Sequence, residues 1–124
     1  MKCRVIEKPF KEKEVPVVVH VEFNVEKLLV TVHVDGYGID VEFSSPEGFR
    51  VLDEGNLTEF WDTCSAKNGW LYEILSSGWL EQEKERDTFL SAHNKELKEF
   101  LIIGCNFCVG VFDYEDPSVY ESIR

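Results

Sequence analysis

The sequence predicts an α+β fold, a mostly antiparallel sheet of about six or seven strands with two or three short helices, in a single domain over residues 1–124. Three observations predict it. Residues 100–112 hold two near-continuous apolar runs separated by Gly104-Cys105-Asn106. Glycine and asparagine let a chain reverse there, and runs without polar alternation belong to strands covered on both faces. Residues 17–43 alternate apolar and polar side chains through three successive runs, the period-2 pattern of half-buried strands. Helix signals stand at Asn56 with Glu59, the spacing of a capping box, and at Asp116-Pro117, an N-cap followed by proline.

Taken in order, residues 1–7 form a short edge strand, and the charged, proline-containing residues 8–14 a solvated connection. Val17, Val19, Val21 and Phe23 face one way in the next strand, with Val18, His20 and Glu22 opposite. After the loop Asn24-Val25-Glu26-Lys27, the residues Leu28, Val30, Val32 and Val34 repeat the buried face. Asp35-Gly36-Tyr37-Gly38 turns into a third strand, where Ile39, Val41 and Phe43 alternate with Asp40 and Glu42. Residues 49–52 are extended. A helix from Asn56 places Leu57, Phe60, Trp61 and Cys64 on one face and closes at Lys67-Asn68-Gly69. Residues 70–83 read as an aromatic-faced hairpin turning at Ser76-Ser77-Gly78, residues 86–94 as a helical turn, and residues 117–123 as a short helix.

Charge narrows the function. There are 13 Lys and Arg against 24 Asp and Glu, a net of −11, and residues 1–14 hold five basic and three acidic residues. The rest therefore carries eight basic against twenty-one acidic side chains. Such a body disfavours nucleic acid and anionic membranes as partners and favours a basic protein. Neither a signal peptide nor a run long enough to span a bilayer is present in the sequence, and four cysteines are too few for a disulfide framework at this length, so a cytoplasmic protein with reduced thiols is expected.

Chemistry has few anchors. Cys105 and Cys108 have the spacing of half a zinc knuckle, but no second closely spaced pair exists among Cys3, Cys64, His20, His33 and His93, and packing explains both thiols. His20 and His33 lie on the polar faces of neighbouring strands near Glu22 and Asp40, where an acid–base pair can be drawn and a mixed polar sheet face explains the same residues. No catalytic set and no cofactor are expected. Large aromatics beside carboxylates suit a protein that anchors on a basic partner, the charges steering and the rings supplying area. That reading selects Tyr37, Asp40, Glu42, Tyr72, Trp79, Glu81, Glu83 and Glu85 as partner-binding residues.

Residues 69–74 (Gly-Trp-Leu-Tyr-Glu-Ile), 77–80 (Ser-Gly-Trp-Leu) and 99–109 (Glu-Phe-Leu-Ile-Ile-Gly-Cys-Asn-Phe-Cys-Val) give the chain, from Phe49 to Tyr114, a style and arrangement that resembles the small cognate immunity proteins of bacterial polymorphic toxin systems, of the Rhs and contact-dependent-inhibition type. The resemblance implies a cytosolic protein without chemistry of its own that binds a toxin domain tightly and occludes its active site or substrate surface, and a monomer rather than a dimer is expected. No contact residue carries over from it. A small acidic secretion chaperone is the alternative, a class that opens with a helix and dimerises, and a metal protein built on the cysteines and histidines comes third.

Overall fold

Two antiparallel sheets, packed face to face, make up the computed structural model, which describes residues 1–11, 14–57, 60–61, 63–86, 88–89 and 96–123. Among the described residues the strands are β1 (Lys2–Glu7), β2 (Val17–Asn24), β3 (Lys27–Val34), β4 (Tyr37–Phe43), β5 (Gly48–Asp53), β6 (Leu71–Ser76), β7 (Lys98–Ile102), β8 (Phe107–Asp113) and β9 (Ser118–Glu121). A five-stranded sheet has the order β1-β6-β7-β8-β5 and a four-stranded sheet the order β2-β3-β4-β9. One short helix, α1 (Trp79–Lys84), and a 3₁₀ turn at Glu54–Asn56 complete the described elements. The fold is largely β. This corrects the expected α+β class with two or three helices and one sheet.

The apolar hairpin forms as its composition requires. β7 and β8 pair through Phe100↔Val111 and Leu101↔Gly110, in the middle of the larger sheet. Phe100, Ile102, Val109 and Val111 face the other sheet, where they meet Leu28, Val30, Val32, Val41 and Phe43. Phe43 and Phe100 touch ring to ring at 5.7 Å between centroids. Leu101 and Cys108 face away, into a second core with Leu57, Phe60, Cys64, Tyr72 and Ile74. Phe112 packs with Leu80 and Leu97 in a third. The middle strands of the larger sheet, β6, β7 and β8, are thus buried on both faces, and for that reason they do not alternate.

Three expected elements take other forms. Residues 79–83 do not return as a strand: Ser77 turns the chain at φ 61°, and Trp79-Leu80-Glu81-Gln82-Glu83-Lys84, mostly strong helix formers, coil into α1. Among the described residues no helix starts at Asn56. Asp53, not Asn56, caps the 3₁₀ turn, its Oδ1 accepting from the Gly55 amide at 2.8 Å. Single turns follow, such as Cys64 N to Phe60 O at 2.7 Å, and they still bring Leu57, Phe60 and Cys64 onto the sheet while Trp61 is half-buried. The expected capping partner Glu59 lies outside the described residues, as do most of residues 86–94. Residues 118–121 pair with β4 through Val41↔Val119 as a strand. Proline suits the position just before a strand as well as a helix start.

A β-bulge in β2 also shifts the expected alternation. The register steps between Val18 and His20, so Val18 and Val21 pack on the core while Val17 and Val19 remain exposed. The Asp35-Gly36 turn, with both φ values positive, is the tight hairpin connection its sequence predicts.

α1 has no side-chain cap of its own. Instead Glu99 of β7 reaches its first turn, accepting from the Trp79 amide at 3.1 Å and the Leu80 amide at 2.8 Å. Burial holds the Glu99 carboxyl above the usual carboxylate range despite those two bonds. The native chain therefore binds this proton more tightly than the unfolded chain, and the contribution of Glu99 to stability falls as pH rises through its folded-state value. Denaturation midpoints measured at several pH values should show wild type gaining on Glu99→Gln as pH drops from 7 toward the carboxylate range; a constant gap would contradict the buried, proton-retaining carboxyl. At the hairpin turn, a Cβ on Gly104 would run into the Phe107 carbonyl oxygen, and it would stand 2.9 Å from Val18 Cγ2. Gly104→Ala is expected to cost about 2 kcal/mol or more in a urea unfolding curve, since backbone must move to admit the methyl group.

Candidate protein-binding surface

In the four-stranded sheet the core side is aliphatic and the other side polar. Register places Thr31 opposite Asp40, Leu29 opposite Glu42 and Asp40 opposite Tyr120, so β3, β4 and β9 contribute neighbouring side chains to this outer face. His20 lies opposite Thr31 from β2. Among the described strands and helices none lies across it.

The polar groups on this face hold one another. Thr31 Oγ1 donates to Asp40 Oδ1 at 2.6 Å, and Asp40 is only 4% exposed. Tyr120 donates its hydroxyl to Glu42 Oε1 at 3.0 Å, and Lys27 Nζ approaches the same oxygen at 3.6 Å. His20 Nε2 is 3.1 Å from Glu22 Oε1. Partial burial and the bond to Glu42 push the Tyr120 hydroxyl above its ordinary range, so it stays a donor at neutral pH. Carboxylates on a β face are normally mobile; here three are fixed by short contacts. Tyr120 adds a ring, nearly half exposed.

The residues singled out in the sequence separate into two groups, with Tyr37 apart from both and Tyr72 an outlier. Asp40 and Glu42 lie on β4 within this face, whereas Tyr37, opposite Val34 and in step with Ile39 and Val41, lies on the other side of the sheet at its edge. Trp79, Glu81, Glu83 and Glu85 belong to α1 and its C-cap, on the far side of the five-stranded sheet. Trp79 packs rather than projects: its ring stacks on Phe112 at 4.0 Å, the Arg50 guanidinium lies 4.4 Å from it, and its Nε1 donates to Glu83. Glu83 also meets Arg86 at 2.6 Å, leaving Glu81 and Glu85 as the exposed members. Tyr72 is the outlier, 1% exposed, donating to the Ser65 carbonyl at 2.7 Å, with burial raising its pKa to about 12. It anchors the 54–68 segment and has no place on a docking surface. The eight residues therefore do not share one surface: only Asp40 and Glu42 lie on the outer side of the second sheet.

Tyr120 and Thr31 are the members that sequence reasoning missed. Reading residues 117–123 as helix hid Tyr120, although Ser118-Val119-Tyr120-Glu121 alternates as a strand does. The histidines do not form a pair. His20 engages Glu22 along its own strand, whereas His33 lies opposite Val17 across the bulge and sits over Gly38, where a Cβ would come within 3.1 Å of its ring. Cys105 is exposed in the hairpin turn, and Cys108 is buried near the Gly104 carbonyl with its thiol pushed up to about 11 by burial. Among the described residues no three His, Cys, Asp or Glu side chains are grouped to hold a metal ion, and His93 lies outside them. No helix among them is long and apolar enough to cross a membrane.

Removing the Thr31 hydroxyl without changing its shape tests how firmly this face is built. Thr31→Val should lose about 1–3 kcal/mol by chemical denaturation, because Asp40 is left buried without its donor, and Thr31→Ser should recover most of it. Equal stability of the Val variant would show that Asp40 does not depend on this bond. Compared with known proteins, the chain matches no family model, no curated protein and no solved structure.

Proposed function

We propose that this chain is a cytoplasmic immunity-type inhibitor, a binding protein without catalysis of its own that docks on a basic toxin domain through the outer face of its four-stranded sheet. One observation carries the reading: Glu42 and Glu22 are held in place by Tyr120 and His20, beside the buried Thr31–Asp40 pair, on a sheet face that none of the described elements crosses. Fixed carboxylates cost little further entropy on binding, so their attraction for lysine and arginine is available at contact. Tyr120 supplies a ring able to bury area beside them, a residue type that binding hot spots favour. Net charge of −11 adds long-range steering toward a cationic surface.

The experiment begins with a tagged pull-down from the native host while neighbouring genes are expressed. The expected product is a near-stoichiometric basic protein that kills cells in the absence of this chain. Binding kinetics with that protein then test the face. Tyr120→Ala should weaken affinity about tenfold, chiefly through faster dissociation, and Glu42→Lys should slow association and steepen its salt dependence. Glu81→Lys with Glu85→Lys, on the far side of the molecule, serves as the control and should leave dissociation unchanged. If the α1 variants weaken binding and the sheet variants do not, the assigned face is wrong.

A further inference from the structure

β2 is an edge strand whose free side is divided in two. Toward its start, Asn106 from the β7–β8 turn acts as a substitute strand: its Oδ1 accepts from the Val18 amide at 3.1 Å and its Nδ2 donates to the Val18 carbonyl at 3.0 Å. The Cys105 amide donates to the Pro16 carbonyl at 2.9 Å beside it. At the other end the strand closes at Asn24, which pairs with Lys27 and accepts from the Glu26 and Lys27 amides. Between the sealed Val18 and the turn lie residues 19–23, Val-His-Val-Glu-Phe. The closing pair Asn24↔Lys27 sets the alternation, so that Asn24, Glu22 and His20 bond toward β3 while the backbone groups of Val21 and Phe23 point to the open edge.

This open segment is complementary to itself about its midpoint, Val21. In a two-fold antiparallel pairing Val21 meets Val21 of a second copy, His20 meets Glu22, and Val19 meets Phe23. The register that sets the Val21 backbone groups against each other, and the Phe23 amide against the Val19 carbonyl, also brings imidazole to carboxylate beside the His20–Glu22 contact within each chain. It brings together Val19 and Phe23, which are about half exposed in the single chain. Asn106 covers the edge at Val18 and the bulge falls at Val19, the usual means of preventing such contacts, and neither device extends over residues 20–23.

We infer that two copies of this chain associate through the 19–23 edge of β2, joining their four-stranded sheets into one continuous sheet of order β9-β4-β3-β2-β2-β3-β4-β9. Five residues from each copy make a small interface, so the association is reversible and concentration-dependent. It differs from the monomer expected from the sequence, because an edge exists only once strand order is known. The inference shares His20 and Glu22 with the proposed docking face, but its test uses no partner and can fail without that reading failing.

Sedimentation equilibrium of the full chain decides it. From micromolar to millimolar concentration the mass should rise from 14.4 kDa toward twice that value. Val21→Pro removes an amide at the two-fold centre that does not face β3, and should hold the mass at the single-chain value with the strand circular dichroism retained. Glu22→Lys should weaken association at least tenfold, and His20→Glu combined with Glu22→Lys, which reverses the order of the pair, should restore it. If Val21→Pro fails to fold, the charge variants decide alone. A single-chain mass at every concentration overturns the inference, as does a dimer that Glu22→Lys leaves intact.

Discussion

Everything in this fold follows from the burial of β6, β7 and β8 on both faces. Phe100, Ile102, Val109 and Val111 need one apolar layer over them and Leu101, Cys108 and Phe112 need another. The four-stranded sheet supplies the first. The turns of residues 54–68 and helix α1 supply the second, which is why short and irregular segments are sufficient: they lie on a sheet that is already complete. At about 25 cal/mol per Å² of apolar area removed from water, such double coverage is the dominant favourable term available to a chain of this size.

Buried polar groups mark where the layers are tied together. Glu99, on the central sheet, closes the start of α1, and Tyr72 fastens the 54–68 segment through the Ser65 carbonyl. Asn106 links the hairpin turn of one sheet to the edge of the other by two hydrogen bonds to Val18. Each would be costly unsatisfied in the interior, so each specifies one arrangement of the layers as well as stabilising it.

Once the larger sheet is covered on both sides, the outer face of the smaller sheet becomes the place where polar chemistry can be displayed. Its carboxylates differ from the solvated acids of α1, since Asp40 and Glu42 are fixed by Thr31 and Tyr120 whereas Glu81 and Glu85 are exposed at a helix end. Net charge does not distinguish the two groups. Order does, because ordered charges can be matched by a partner's charges at little entropic cost.

Local pattern determined the strands whose partners are adjacent in the chain. The period-2 runs of β2, β3 and β4, the Asp35-Gly36 turn and the β7–β8 hairpin are all legible because their signals reside within a few residues. Tertiary structure decided the rest. Trp79-Leu80-Glu81-Gln82-Glu83-Lys84 becomes a helix because Glu99, nineteen and twenty positions away along the chain, accepts its first amides. Residues 118–121 become a strand because β4 offers an edge, overriding a proline signal that fits either state. Of the eight residues read as partner-binding, Asp40 and Glu42 share one face and Tyr37 takes the other because side chains alternate along β4, while Tyr72 is buried and α1 falls on the opposite side of the molecule. A sequence carries alternation along a strand, but which faces become covered depends on how the sheets stack, and stacking is decided by residues far apart in the chain.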